Sequence, residues 1–149
     1  MTVSLVSARW IVTGVADRHT PVIHSDAALA HDNGRVIAVG PAAQMRAAYP
    51  GASETRYPQH MMLPGFVNSH HHVGMTPLQL GSPDYALELW FASRLSARDI
   101  DPYLDTLYSA FEMLASGVTP VQHIHGWMRG PYSHVHGTAS AVLNAYRDI

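Results

Sequence analysis

Two histidines one residue apart, His70 and His72, close an apolar run that starts Leu63-Pro64-Gly65-Phe66-Val67. In extended backbone, side chains alternate. His70 and His72 then point the same way, roughly 6.5–7 Å apart along the chain, and His71 points away. Two imidazoles so placed can converge on one divalent ion. The chain has no cysteine, which excludes disulfides, thiolate metal sites and cysteine nucleophiles. Any metal must be held by histidine and carboxylate, and zinc, iron, manganese and nickel all accept such donors. A catalytic zinc usually takes at least three protein ligands and a water position, so the pair alone is not a site. The same spacing also arises by accidental clustering in a chain with eleven histidines.

Asn68 and Ser69 flank the pair and are candidates to support it by hydrogen bonding. Gln122, His123 and His125 lie at the end of a second apolar run, where one could touch a substrate. The competing reading is a packed or solvent-facing histidine. His134 and His136 sit at a loop–helix junction and read as surface residues. His19, His24, His31 and His60 belong to a β-rich segment without a catalytic role. Trp90, Phe91 and Leu95 read as packing core. Glu88 and Glu112 read as solvated helix faces.

The elements that must position these groups follow from pattern. Val3 to Val12 is rich in strand formers. Ala27 to Ala30 and Arg35 to Val39 flank Asp32-Asn33-Gly34, a tight hairpin turn. Pro41 to Ala48 predicts a short helix stopped by Pro50-Gly51. Thr55 to Met62 predicts a strand interrupted by Pro58. Beyond Pro64 the apolar run into the histidines is followed by a loop with Gly74, Pro77, Gly81 and Pro83. Tyr85 to Leu95 has helical spacing. Asp101 to Ser116 is the strongest helix, with Asp101 as cap, Pro102 in the first turn and Gly117 after its end. Leu104, Leu107, Tyr108, Phe111 and Leu114 make one apolar face. Val118 to Ile124 is a strand with Pro120 near its start, Gly126 to Tyr132 a loop, and His136 to Tyr146 a helix. The expected organisation is α/β: a β-rich segment over residues 1–62, then alternating strand and helix over 63–149.

Composition fits a folded chain, with 47% hydrophobic and 13% charged residues. The formal net charge of -2 offers no basic surface for nucleic acid. The first ten residues lack a signal-peptide pattern and no apolar run approaches a membrane span. A soluble, cytoplasmic protein is the default expectation. All nine basic residues are arginine.

Leu63-Pro-Gly-Phe-Val-Asn-Ser-His-His-His72 resembles the signature of the amidohydrolase superfamily. Asn33-Gly-Arg-Val-Ile-Ala-Val-Gly-Pro41 resembles the hairpin of the small N-terminal β-sandwich of these enzymes. Ala115-Ser-Gly-Val-Thr119 resembles their approach to the second barrel strand. Leu87-Glu-Leu-Trp90 is similar to a helix of the branch holding cytosine, guanine and adenosine-derivative deaminases and chlorohydrolases. Two positions depart from that branch: Val73-Gly74-Met75-Thr76 lacks a polar substrate-contacting residue, and Pro120 replaces a threonine. The resemblance implies the N-terminal part of a β-sandwich, then the first two β/α units of an incomplete (β/α)8 TIM barrel. His70 and His72 become ligands of a divalent metal, zinc first, with iron, manganese or nickel as alternatives.

The implied reaction is metal-assisted hydrolysis of a C–N or C–Cl bond in a nitrogen heterocycle, a small-molecule substrate. The family's later ligands, two histidines and an aspartate from strands five, six and eight, are not in this sequence, nor is its proton shuttle. The lysine that bridges two-metal members has no counterpart. The expectation is therefore an inactive fragment of a hydrolase, one that associates because an open strand pair exposes apolar faces. The alternative is a non-catalytic metal-binding or interaction module, or a decayed enzyme. Homo-oligomers are implied by analogy with family members.

Overall fold

The chain is described from a computed structural model that covers residues 2–72, 85–125 and 134–149. It divides into two units, Met1–Pro64 and Gly65–Ile149. Among the described residues no helix is long and apolar enough to cross a membrane.

The first unit is a four-stranded sheet with one helix. Its elements are β1 (Ser4–Asp17), β2 (Thr20–Asp32), β3 (Arg35–Pro41), α1 (Ala42–Ala48) and β4 (Ser53–Met62). The strand order is β3-β2-β1-β4, with β4 parallel to β1 and the other pairs antiparallel. The predicted hairpin forms: Asp32 pairs with Arg35, and Asn33 and Gly34 take φ of 48° and 74°, the two positive values that a type I′ turn needs. β2 begins earlier than composition suggested, because Asp17 and Thr20 pair across a second two-residue turn. Alternation sends Leu5, Ala28 and Ala30 to the face on which Met45 of α1 packs. Leu29 and Val39 pack on the other cluster with Ala8, Ile11 and Ala27. Pro58 cannot donate to the ladder. It falls where β4 slips against β1, between the pairs Ala8–Tyr57 and Trp10–Met61.

One charged cluster ties α1 to β4. Arg46 grips Glu54 through two bonds of 2.9 Å, and Arg56 reaches the same carboxylate. Hydrogen bonding from Arg46, then from Ser7 and Arg56, pushes the Glu54 pKa down to about 2.

The second unit contains β5 (Phe66–His71), α2 (Leu87–Ser96), α3 (Pro102–Ala115), β6 (Val118–His123) and α4 (His134–Arg147). β5 and β6 are parallel, joined by Phe66 N–H to Gly117 C=O at 2.9 Å and Ile124 N–H to His71 C=O at 2.8 Å. Asp101 caps α3 as expected, accepting from Tyr103 and Leu104 N–H, with Pro102 in the first turn. Gly117, at φ 82°, follows its end. Pro120 again lies at a register slip: β6 uses one residue more than β5 between the pairs Phe66–Val118 and Asn68–Val121.

The apolar face read on α3 is not the face that it buries here. Leu104 and Phe111 are 60% and 61% exposed, and Tyr108 and Leu114 are also exposed. The buried positions are Asp105, Thr106, Ser109 and Ala110. Small side chains let α4 approach closely through Val142 and Ala145. The hydroxyls of Thr106 and Ser109 bond back to the Pro102 and Asp105 carbonyls, so burial leaves neither unsatisfied. In α2, Trp90 and Phe91 are half-buried and meet edge to face at 5.4 Å. Leu95, read as core, is exposed.

Candidate metal centre

The strand that carries the histidines is not regular. Asn68 pairs with Val121 and His71 with His123, so β5 spends one more residue than β6 over this stretch. Such a slip re-aims the side chains around it. Asn68 and His71 thereby share the helix side of the strand pair: Asn68 Nδ2 lies 3.6 Å from the Met113 sulfur of α3. The Asn68 Oδ1 accepts from the His70 backbone N–H at 3.2 Å, which holds the strand where it slips. Ser69 and His70 are exposed, and His72 is half-buried.

His70 and His72 converge. Their Nε2 atoms are 3.1 Å apart, with ring centroids at 4.9 Å. Two imidazole nitrogens at this separation could both bond one divalent ion. The donor set therefore fits two positions of a divalent-metal site. Among the described residues, no group of three or more histidines and carboxylates is placed to hold a metal. The spacing of the pair does bring the two rings together at the end of β5.

His71 behaves differently. Its Nε2 is buried with no hydrogen-bond partner among the described residues, and its ring lies 6.3 Å from that of His123. Desolvation holds its pKa below the usual histidine value, partly opposed by the buried Asp105 carboxylate. His71 belongs to the packing layer.

His123 is half-buried, its Nδ1 3.1 Å from the Tyr146 hydroxyl of α4 and its Nε2 3.4 Å from His125 Nδ1. Burial first, then the nearby His125 and His71 rings, lowers its pKa. His125 and Gln122 are exposed. His123 is thus a bonded, packed histidine, and His125 is the member of the pair that solvent reaches. Tyr146 was missed by sequence reasoning. Val142, four residues earlier, marks a buried stripe at that position, but nothing in the pattern names a polar partner. His136 is exposed; the His134 side chain, the Val73–Thr76 loop with its neighbouring glycines and prolines, and the Gly126–Tyr132 loop lie outside the described residues.

Comparison with known proteins agrees with this architecture. A model of the bacterial imidazolonepropionase-like composite domain matches residues 27–52. A 5-methylthioadenosine/S-adenosylhomocysteine deaminase of Syntrophus aciditrophicus is 33% identical over 100 residues, covering 63% of this chain and 23% of the relative. The enzyme of the same name from Nitratidesulfovibrio vulgaris is 32% identical over 120 residues, covering 77% and 27%. The chain thus spans about a quarter of the length of the curated relatives that it matches. Among solved structures, an adenosine deaminase from Xanthomonas campestris with bound zinc superposes with a TM-score of 0.76 at 27% identity, over 97% of this chain and 31% of that one. A guanine deaminase from Bradyrhizobium japonicum gives 0.70 at 23% identity, over 99% and 33%. The chain belongs to the amidohydrolase superfamily and carries the β-rich part and the first β/α units of that fold.

Proposed function

We propose that the chain supplies His70 and His72 as two ligands of a catalytic zinc ion in a hydrolase that deaminates an adenosine-derived purine. The observation that carries this reading is the convergence of the two Nε2 atoms at 3.1 Å. Deamination is preferred over dechlorination because the relatives at about a third identity are named for deamination of thioadenosine compounds. Zinc is preferred because it is the ion bound in the solved relative. Bound there, the metal would lower the pKa of a water and supply hydroxide near neutral pH. The net reaction adds water at the amino-bearing ring carbon and releases ammonia. Within this chain, His70 and His72 donate lone pairs from Nε2, and Asn68 fixes the backbone of His70. The remaining ligands and the proton-transfer group are proposed to come from sequence beyond these residues.

The test is ammonia release from 5′-methylthioadenosine by the longest natural polypeptide that contains this chain, with and without chelator. Zinc-dependent release that is abolished in His70→Ala and His72→Ala supports the reading. Release that survives both substitutions contradicts it. The alternative is a non-catalytic metal-binding module. It predicts that this chain alone binds metal through His70 and His72, lost in His70→Ala, and that the longer polypeptide binds no better.

A further inference from the structure

Tyr146, His123 and His125 form a chain of hydrogen bonds that the proposed metal chemistry leaves unused. The Tyr146 hydroxyl lies 3.1 Å from His123 Nδ1, and His123 Nε2 lies 3.4 Å from His125 Nδ1. The Tyr146 ring meets that of His123 edge-on, at 5.8 Å and 79°. Tyr146 and His123 are half-buried, and His125 reaches solvent.

This chain has a direction. A neutral imidazole carries one N–H and one lone pair. Burial raises the Tyr146 pKa, so its phenol keeps its proton. A half-buried O–H left without an acceptor is unfavourable, and among the described residues His123 Nδ1 lies in reach of it. Accepting at Nδ1 puts the His123 proton on Nε2, aimed at His125 Nδ1. His125 then accepts at Nδ1 and bears its own proton on Nε2. The reverse direction would strand the phenol proton.

The end of the chain is also placed. His71 and His123 are partners in the parallel strands, so His72 and His125 both lie just past the same C-terminal end. In β/α barrels this end carries the reacting groups.

We propose that Tyr146 sets the tautomers of His123 and His125, so that His125 presents an Nε2–H donor to an acceptor atom of the heterocyclic substrate. Tyr146 is a positioning residue; His125 is the group that meets the substrate. The donor role rests on the deaminase reading, whereas the tautomer pattern does not.

Histidine-selective 15N labelling with magic-angle-spinning NMR reads which ring nitrogens are protonated, whatever the size of the particle. Spectra of His123→Gln and His125→Gln identify the two signals. The expected result is Nε2–H at both histidines, and mixed tautomers in Tyr146→Phe, which removes only the hydroxyl. Nδ1–H at His123, or a Tyr146→Phe spectrum unchanged from the parent, overturns the relay. In the deaminase assay, His125→Ala, which leaves no donor, should raise KM roughly tenfold, the effect of one lost hydrogen bond, and Tyr146→Phe about twofold, because part of the population keeps the donor tautomer, with kcat little changed in both. An unchanged KM overturns the donor role. A parent that deaminates nothing removes the deaminase reading and the donor role together, while the tautomer spectra still decide the relay.

Discussion

Gly65 and Thr119 interlock. A Cβ placed on Gly65 would stand 2.8 Å from the Cβ of Thr119, closer than any rotamer change can relieve. The glycine of the Pro-Gly-Phe segment and the threonine of the Gly-Val-Thr segment are thus two sides of one contact, at the start of the parallel strands. This contact sets how closely β5 meets β6, and so where the histidines at the far end of β5 fall.

Gly65→Ala should therefore destabilise the second unit by about 1–3 kcal/mol, the usual range for overpacking. Thr119→Gly in the same chain should recover part of that loss. Urea unfolding followed by circular dichroism measures both. Equal stability of parent and Gly65→Ala would show that the strands meet more loosely than described.

Glu54 gives a prediction about pH. Its folded pKa of about 2 lies below the ordinary carboxylate value. Its contribution to stability is complete above about pH 4.5, the unfolded range, and is lost as pH falls towards 2. Glu54→Gln should lower stability at neutral pH by about 1 kcal/mol, because Arg46 and Arg56 lose a charged acceptor but are themselves well exposed to screening solvent. It should also flatten the stability profile between pH 5 and pH 2 (about the two pKa values). Thermal melts of both proteins across that window check the sign. A variant whose stability falls with acid as steeply as the parent's contradicts the assignment.

The exposed face of α3 gives the third prediction. Leu104 and Phe111 are about three-fifths exposed, so Leu104→Gln and Phe111→Gln together should change stability by less than about 1 kcal/mol. The same pair should reduce self-association, because it breaks up an exposed apolar surface. Light scattering against concentration reads the association, and denaturation reads the stability. A loss of 2–5 kcal/mol, the range for truncating core residues, would mean that the face is core.

These cases show what could be read from sequence. The Asn33-Gly34 hairpin, the Asp101 cap and the His70/His72 spacing were legible because each is local: turn chemistry, capping chemistry and alternation act within a few residues. Both prolines that counted against regular strands, Pro58 and Pro120, do sit at register slips. The buried side of α3 was not legible. Periodicity selects the most apolar face, whereas close packing against α4 selects the smallest one, with hydroxyls satisfied within the helix. The slip at Ser69–His70 and the Tyr146–His123 bond were not legible either, since each depends on a partner distant in sequence.

The metal-ligand role of His70 and His72 is tested most simply by zinc binding to the 149-residue chain, measured by competition with a chromophoric chelator. Parent, His70→Ala, His72→Ala and, as a control, the exposed His60→Ala of the first unit would be compared. One weak site per chain is expected, lost in both His70→Ala and His72→Ala and retained in His60→Ala. Zinc binding unchanged in His70→Ala and His72→Ala would contradict it.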